Sequence, residues 1–185
     1  MSGIIGQNVG RSSGLKKAIA AAGNTPYFLA HRGADGCSGD GCTQSTSDNT
    51  FTKAQFNGER LDTDNCYDPS TYRFTPNKAG KYFIFAQVKV GEYQDRLVET
   101  IFEFRFNGNQ YGDMISKRYP HSEQSSGYTA DATGYMKCTQ IITFNGSSDY
   151  VEAWVKCDQN ANYARVFGGS QSRDGSYFGG FFIGA

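Results

Sequence analysis

The chain has 185 residues; Lys and Arg number 18 and Asp and Glu number 18, so the formal net charge is zero. Net neutrality removes the electrostatic argument for nucleic acid binding, and no run of eighteen apolar residues is available to cross a membrane as a helix. Aromatic residues at 15%, with 23 Gly and only 4 Pro, exclude a disordered composition and fit a single β domain with tight turns.

Residues 1–24 read as an arm, and residues 25–185 as the domain. Ser2 to Gly14 is punctuated by glycine, and its apolar residues Ile4, Ile5 and Val9 have no local core to enter. Leu15 to Ala22 predicts a short helix, with Ser12 or Ser13 as its N-cap and Gly23 at its end. Leu15, Ala18, Ile19 and Ala22 share one face. A helix this short is not stable alone in water, so the arm is expected to lie on its own domain or to dock on a neighbouring subunit or larger assembly. Ile4, Ile5, Val9, Arg11, Leu15 and Ile19 are the candidate anchoring residues. Lys16-Lys17 before Ala18 to Ala22 is too short an apolar stretch for an export signal.

Pro26 to His31 predicts the first strand, and Gly33 to Asn49 a polar loop. Within that loop Cys37 and Cys42 bracket Ser-Gly-Asp-Gly. Five cysteines leave at least one thiol unpaired within the chain. A local Cys37–Cys42 disulfide and free thiols both remain open at this point. Zinc would need four ligands, and His31 and His121 are isolated from the cysteines.

Phe51 to Phe56 and Glu59 to Asp62 flank Asn57-Gly58, which predicts a hairpin. Asp62-x-Asp64-x-Cys66 begins like a calcium loop and then fails, because Tyr67 and Arg73 stand where glycine and a bidentate glutamate are needed. Lys81 to Val90 alternates, with Tyr82, Ile84, Ala86, Val88 and Val90 facing one way and Gln87 and Lys89 the other. Phe102, Phe104 and Phe106 alternate against Glu103 and Arg105, and Asn107-Gly108 turns the chain. Gly112 to Gly134 reads as a loop carrying Lys117, Arg118, Tyr119, His121 and Tyr128. It is either an exposed connection or a face for a receptor or glycan.

Tyr135 to Phe144 predicts a strand turned by Asn145-Gly146. Val151, Ala153 and Val155 alternate with Glu152, Trp154 and Lys156, which sets Trp154 among polar-facing positions as an interfacial aromatic. Tyr163, Arg165 and Phe167 form a short strand or a subunit contact. Tyr177 to Ile183 is apolar to its end and is expected to be a central, paired strand. Phe-Asn-Gly occurs three times at unequal spacing, which is hairpin grammar and not a repeat array. Seven to ten strands with no convincing helix in the domain mean a sandwich or a jelly roll.

Four stretches carry a resemblance. Tyr72 to Phe85, running through Phe74, Pro76, Gly80 and Tyr82, resembles the globular heads of the first complement component. So do Pro26-Tyr27-Phe28-Leu29-Ala30 and Asp149-Tyr150-Val151-Glu152-Ala153-Trp154-Val155. Phe178-Gly179-Gly180-Phe181-Phe182-Ile183 resembles the closing strand those heads share with tumour necrosis factor. The resemblance covers roughly residues 26–185. It implies an all-β, ten-strand jelly-roll sandwich that forms a compact homotrimer with aromatics along the threefold axis, and it implies binding instead of catalysis. Tyr82, Phe102, Phe104, Trp154, Tyr177, Phe178 and Phe181 are the candidate core or trimer aromatics. No collagen-like Gly-X-Y tract accompanies the head. The arm residues Ser2 to Leu15 resemble the N-termini of structural proteins of tailed bacteriophages.

Catalysis finds little support. No G-x-S-x-G is present, and neither histidine sits in a nucleophile–base motif. No catalytic, cofactor or metal residue is therefore assigned. The expectation is a homotrimeric protein on the surface of a phage virion, with residues 1–24 anchoring it to other virion proteins. A head decoration or knob comes first, and a tail-associated receptor-binding head that takes a host receptor or glycan second. A secreted binding module of the complement-head type is the alternative from a different class.

Overall fold

A computed structural model describes residues 25–33, 42–91, 97–119, 134–159, 164–168 and 175–185. The arm of residues 1–24, with its predicted helix, lies outside them, as do Cys37, His121, Tyr128 and Tyr163.

The described residues form thirteen strands: β1 (Tyr27–His31), β2 (Thr43–Ser45), β3 (Thr52–Lys53), β4 (Gly58–Asp62), β5 (Tyr67–Asp68), β6 (Arg73–Phe74), β7 (Gly80–Gly91), β8 (Leu97–Phe106), β9 (Asn109–Arg118), β10 (Gly134–Phe144), β11 (Val151–Gln159), β12 (Arg165–Phe167) and β13 (Tyr177–Gly184). Five of them are only two or three residues long, so the excess over ten comes from short edge segments. β2 falls inside the stretch read as a loop, because Thr43 to Ser45 ladder onto β12.

The strands make two antiparallel sheets. One runs β2-β12-β7-β13-β1-β4, with β10 also paired to β7; the other runs β5-β6-β11-β8-β9, with β3 also paired to β11. β7 organises the first sheet. β10 pairs along nearly its whole length, and β13 and β12 share its other edge. The final strand, β13, is central, held between β7 and β1.

Alternation explains the layering, since successive side chains on a strand point to opposite faces. Tyr82, Ile84, Ala86, Val88 and Val90 of β7 are buried against Phe102 and Phe104 of β8 and Val151, Ala153 and Val155 of β11. Aromatic stacking joins the layers. The Phe28 ring lies 4.2 Å from Phe74 and 4.8 Å from Phe178, and Phe178 lies 6.0 Å from Phe104. Each such phenylalanine stabilises by about 2–3 kcal/mol through burial alone.

The three Phe-Asn-Gly tripeptides are used in three ways, and the hairpin grammar holds at one. Asn107 and Gly108 both have positive φ, 50° and 82°, and close the β8–β9 hairpin. Asn57-Gly58 makes no hairpin: β3 pairs with β11 in one sheet and β4 with β1 in the other, so the chain crosses the sandwich there. The Asn57 side-chain oxygen Oδ1 instead accepts hydrogen bonds from Arg32 Nη1 and the Gly33 N–H, each 2.9 Å. Asn145-Gly146 also lies at a crossing, between β10 and β11. There Asn145 Oδ1 accepts from the N–H groups of Ser147, Ser148 and Asp149. Asp62 likewise closes a turn, accepting from the Cys66 and Tyr67 N–H groups at 3.0 and 2.8 Å.

Candidate functional site

The face of the first sheet that turns away from the core is apolar. Register places Tyr27, Phe181, Phe83 and Ile141 in one row across β1, β13, β7 and β10. The next row is Leu61, Leu29, Gly179, Phe85 and Thr139 across β4, β1, β13, β7 and β10. The rings form a chain: Phe181 to Phe83 is 5.5 Å, Phe83 to Phe85 6.1 Å, and Phe85 to Tyr177 6.2 Å. Gly179 makes room for this, because a Cβ there would lie 2.5 Å from Phe85 Cζ.

Ile141 is 55% exposed and Leu61 50%, on a face whose inner side is fully buried. A β-branched side chain left this open beside four rings marks a contact surface, since soluble monomers rarely expose large contiguous apolar patches.

The cations of this face lie away from β4, the edge strand that carries the sheet's carboxylates, Glu59 and Asp62. Lys81 and Lys89 on β7, Lys137 on β10 and Arg165 on β12 alternate with core residues and so belong to it. β1, β2, β7, β10, β12 and β13 contain no carboxylate. Lys89 Nζ sits 5.6 Å from the Tyr135 ring and 5.9 Å from Phe167. The face thus has an aromatic middle and a cationic end.

No family model matches this chain, and no curated protein does. Solved structures do. The globular domain of zebrafish complement 1qA protein aligns over 85% of this chain and 97% of its own, at 12% identity and TM-score 0.52. The Eiger tumour necrosis factor of S. frugiperda aligns over 85% of this chain and 93% of its own, at 10% identity and TM-score 0.55. The fold is the tumour necrosis factor and complement-head jelly roll.

Within this jelly roll the predicted aromatics divide into three groups. Tyr82, Phe102, Phe104 and Phe178 are fully buried between the sheets and reach no outer surface. Tyr177 and Phe181 lie on the outer face just described. Trp154 lies on the opposite outside, on the second sheet, half-buried and donating its indole N–H to Glu152 Oε2 at 2.9 Å. Sequence reading missed Phe83, Phe85, Tyr27, Leu61 and Ile141. The signal was available in the alternation of β7, whose even positions enter the core and whose odd positions include both phenylalanines.

The residues expected to share a loop do not. Lys117 and Arg118 are the last residues of β9, because the β8–β9 ladder continues to the pair Glu99–Arg118. Arg118 Nε is 3.2 Å from Glu99 Oε1, with its side chain 84% exposed. Tyr119 turns inward against the core, its N–H donating to the Val98 carbonyl at 2.9 Å. Burial pushes the Tyr119 hydroxyl pKa up. His121 and Tyr128 lie outside the described residues.

Cys42 is disulfide-bonded, while its predicted partner Cys37 lies outside the described residues. Cys66, Cys138 and Cys157 are free and buried. Burial raises all three thiol pKa values, that of Cys157 to about 11. Among the described residues no three His, Cys, Asp or Glu side chains group closely enough to hold a metal ion.

Proposed function

We propose that three copies of this chain associate through the outer face of the first sheet into a non-enzymatic homotrimer that serves as a binding or surface-display head. One observation carries this reading. The Phe181–Phe83–Phe85–Tyr177 ring chain, extended by exposed Ile141 and Leu61, is a second apolar layer on a domain whose core is already complete. Burying such a surface is what subunit association achieves. The jelly-roll likeness to a complement head and a tumour necrosis factor supports the same geometry.

The finer reading is a virion-surface knob anchored by residues 1–24. It is supported by the resemblance of Ser2 to Leu15 to phage structural N-termini and by the sparse apolar residues of that arm. Within this reading a head decoration comes first and a tail-associated receptor-binding head second. A secreted head would use the same trimer and dispense with the arm.

Light scattering on the full chain tests assembly. The expected mass is three times the 20.3 kDa chain mass. A monomer at micromolar concentration would refute the trimer. Deleting residues 2–24 should keep the trimer and abolish incorporation into particles; unchanged incorporation would refute the anchoring role.

A further inference from the structure

The outer face of the second sheet carries a different arrangement. Glu152 on β11 is only 2% exposed yet ionically engaged: Arg73 Nε and Lys53 Nζ each lie 2.6 Å from its Oε1. Glu103 on β8 is as deeply set and accepts from Arg105 Nε at 2.7 Å. Both carboxylates are therefore covered by their cations. The cations this face turns outward are Arg73, Arg105, Lys53 and Lys156; its outward carboxylates are Asp68, opposite Arg73 on β5 and already accepting from Ser70 and Thr71, and Glu99 and Asp158 farther along β8 and β11.

The two arginines share one geometry. Each binds its carboxylate through Nε, and each guanidinium stacks on a ring: Arg73 on Tyr150 and Arg105 on Trp154, both at 4.1 Å. Phe51 adds a second ring 5.0 Å from Arg105. Among the described residues neither arginine's Nη1 nor Nη2 has a protein acceptor. The side chains are 39% and 23% exposed, so those amino groups reach solvent. A guanidinium fixed by Nε and a ring has already lost the rotamer freedom that binding an anion would otherwise cost. Its remaining edge is the fork that takes a carboxylate or sulfate bidentately. Arg73 on β6 and Arg105 on β8 flank β11, two strand spacings apart, which is about 10 Å.

We propose that this face binds an anionic polysaccharide, one carrying carboxylate or sulfate groups, through Arg73 and Arg105. The forks grip anionic groups on neighbouring sugar units, and the exposed ring edges between them meet the sugar carbons. β11 is paired on both sides, by β3 and β6 and by β8. The face therefore offers an extended peptide no open strand edge at its centre. It lies opposite the apolar face and stays open in the trimer.

Trp154 is the chain's single tryptophan, so its fluorescence reports on this face in the unaltered protein. The full chain is titrated at physiological salt with sulfated heparin oligosaccharides, polygalacturonate oligosaccharides, neutral dextran and a poly-glutamate peptide. The expected result is a saturable change in Trp154 emission with at least one anionic saccharide and none with dextran; the tighter of the two identifies the oxyanion. Arg73→Lys and Arg105→Lys keep the charge and lose the fork, and each should weaken binding about tenfold. Arg60→Glu, on β4 of the opposite sheet, should leave it within about twofold. Silence with both anionic saccharides, tighter binding of poly-glutamate, equal affinity in the lysine variants, or equal loss in Arg60→Glu would each overturn the proposal. The wild-type titration stands even where a variant fails to fold.

Discussion

Phe85 lies over Gly179 on the outer face of the first sheet, and the two are directly paired across β7 and β13. A methyl group at Gly179 would meet Phe85 Cζ at 2.5 Å and the Phe28 carbonyl oxygen at 3.1 Å. The ring has solvent to swing into, but the backbone oxygen belongs to the β1 ladder. Gly179→Ala should therefore cost about 1–3 kcal/mol by overpacking, lowering Tm by several degrees in a chain of this size. It should also tilt Phe85 out of the ring chain and weaken self-association. Thermal melting and light scattering on one sample check both.

Replacing Phe83 by Ser separates assembly from folding. Phe83 points away from the core, so the change leaves the sandwich intact while placing a hydroxyl at the centre of the apolar row. The expected outcome is a chain that melts cooperatively but scatters light as a 20.3 kDa monomer. Ile142→Ser, one residue along β10 from exposed Ile141, provides the contrast. Ile142 is fully buried, and its loss should reduce stability by several kcal/mol. An unchanged trimer in Phe83→Ser would remove the outer face from the assembly.

The layers were legible in the sequence, and the crossings were not. Period-two alternation assigns Tyr82, Ile84 and Ala86 to one face with no further information, and the structure places them in the core. The same alternation holds Phe83 and Phe85 on the other face, but an aromatic residue is expected inside, and hydrophobicity obscured the parity. Asn-Gly is a local signal, whereas the partner of each flanking strand is a long-range fact. Asn107-Gly108 is a hairpin because β8 and β9 share a sheet. Asn57-Gly58 is not, because β3 and β4 belong to different sheets. Glu152 reads as a solvent-facing residue on β11, and only the convergence of β3 and β6 on that strand explains its burial.

Asn57 does the work of a turn without making a hairpin. Its Oδ1 accepts from Arg32 Nη1 and from the Gly33 N–H, and the Arg32 side chain also donates to the Thr43 carbonyl. Arg32 is only 8% exposed, and burial lowers its pKa. Asn57→Ala removes one acceptor from this buried cation and one from a backbone N–H. Hydrogen bonds to charged groups contribute roughly 1.5–3 kcal/mol, and a loss in that range is expected in urea unfolding. Asn57→Asp, which returns an acceptor and adds a counter-charge, should recover most of it.

Buried thiols give a prediction that needs no variant. Cys157 is fully buried, and its pKa is raised to about 11, so almost no thiolate is present at pH 8. Cys66 and Cys138 are shifted the same way by burial. Iodoacetamide at pH 8 should leave all three unmodified in the folded chain and alkylate them rapidly in urea, as read by intact mass. Rapid labelling of Cys157 under native conditions would mean that β11 opens locally.

Glu152 ties the stability of the second sheet to pH. Burial pushes its carboxyl pKa up, but hydrogen bonds from Lys53, Arg73 and the Trp154 indole outweigh this and leave it below its ordinary value. A carboxyl with a depressed folded-state pKa binds protons more readily when unfolded. Its stabilising contribution is therefore present above the unfolded-state value, near 4.5, and is lost as pH falls through the lower folded-state value. Glu152→Gln should remove this dependence. It should also cost about 3 kcal/mol at neutral pH, because Arg73 and Lys53 lose a buried counter-ion. Melting curves from pH 6 to pH 3 should fall more steeply for the wild type than for Glu152→Gln, so that the two converge at the acid end. Parallel curves would show that Glu152 stays ionised across the range or contributes nothing to the pH response.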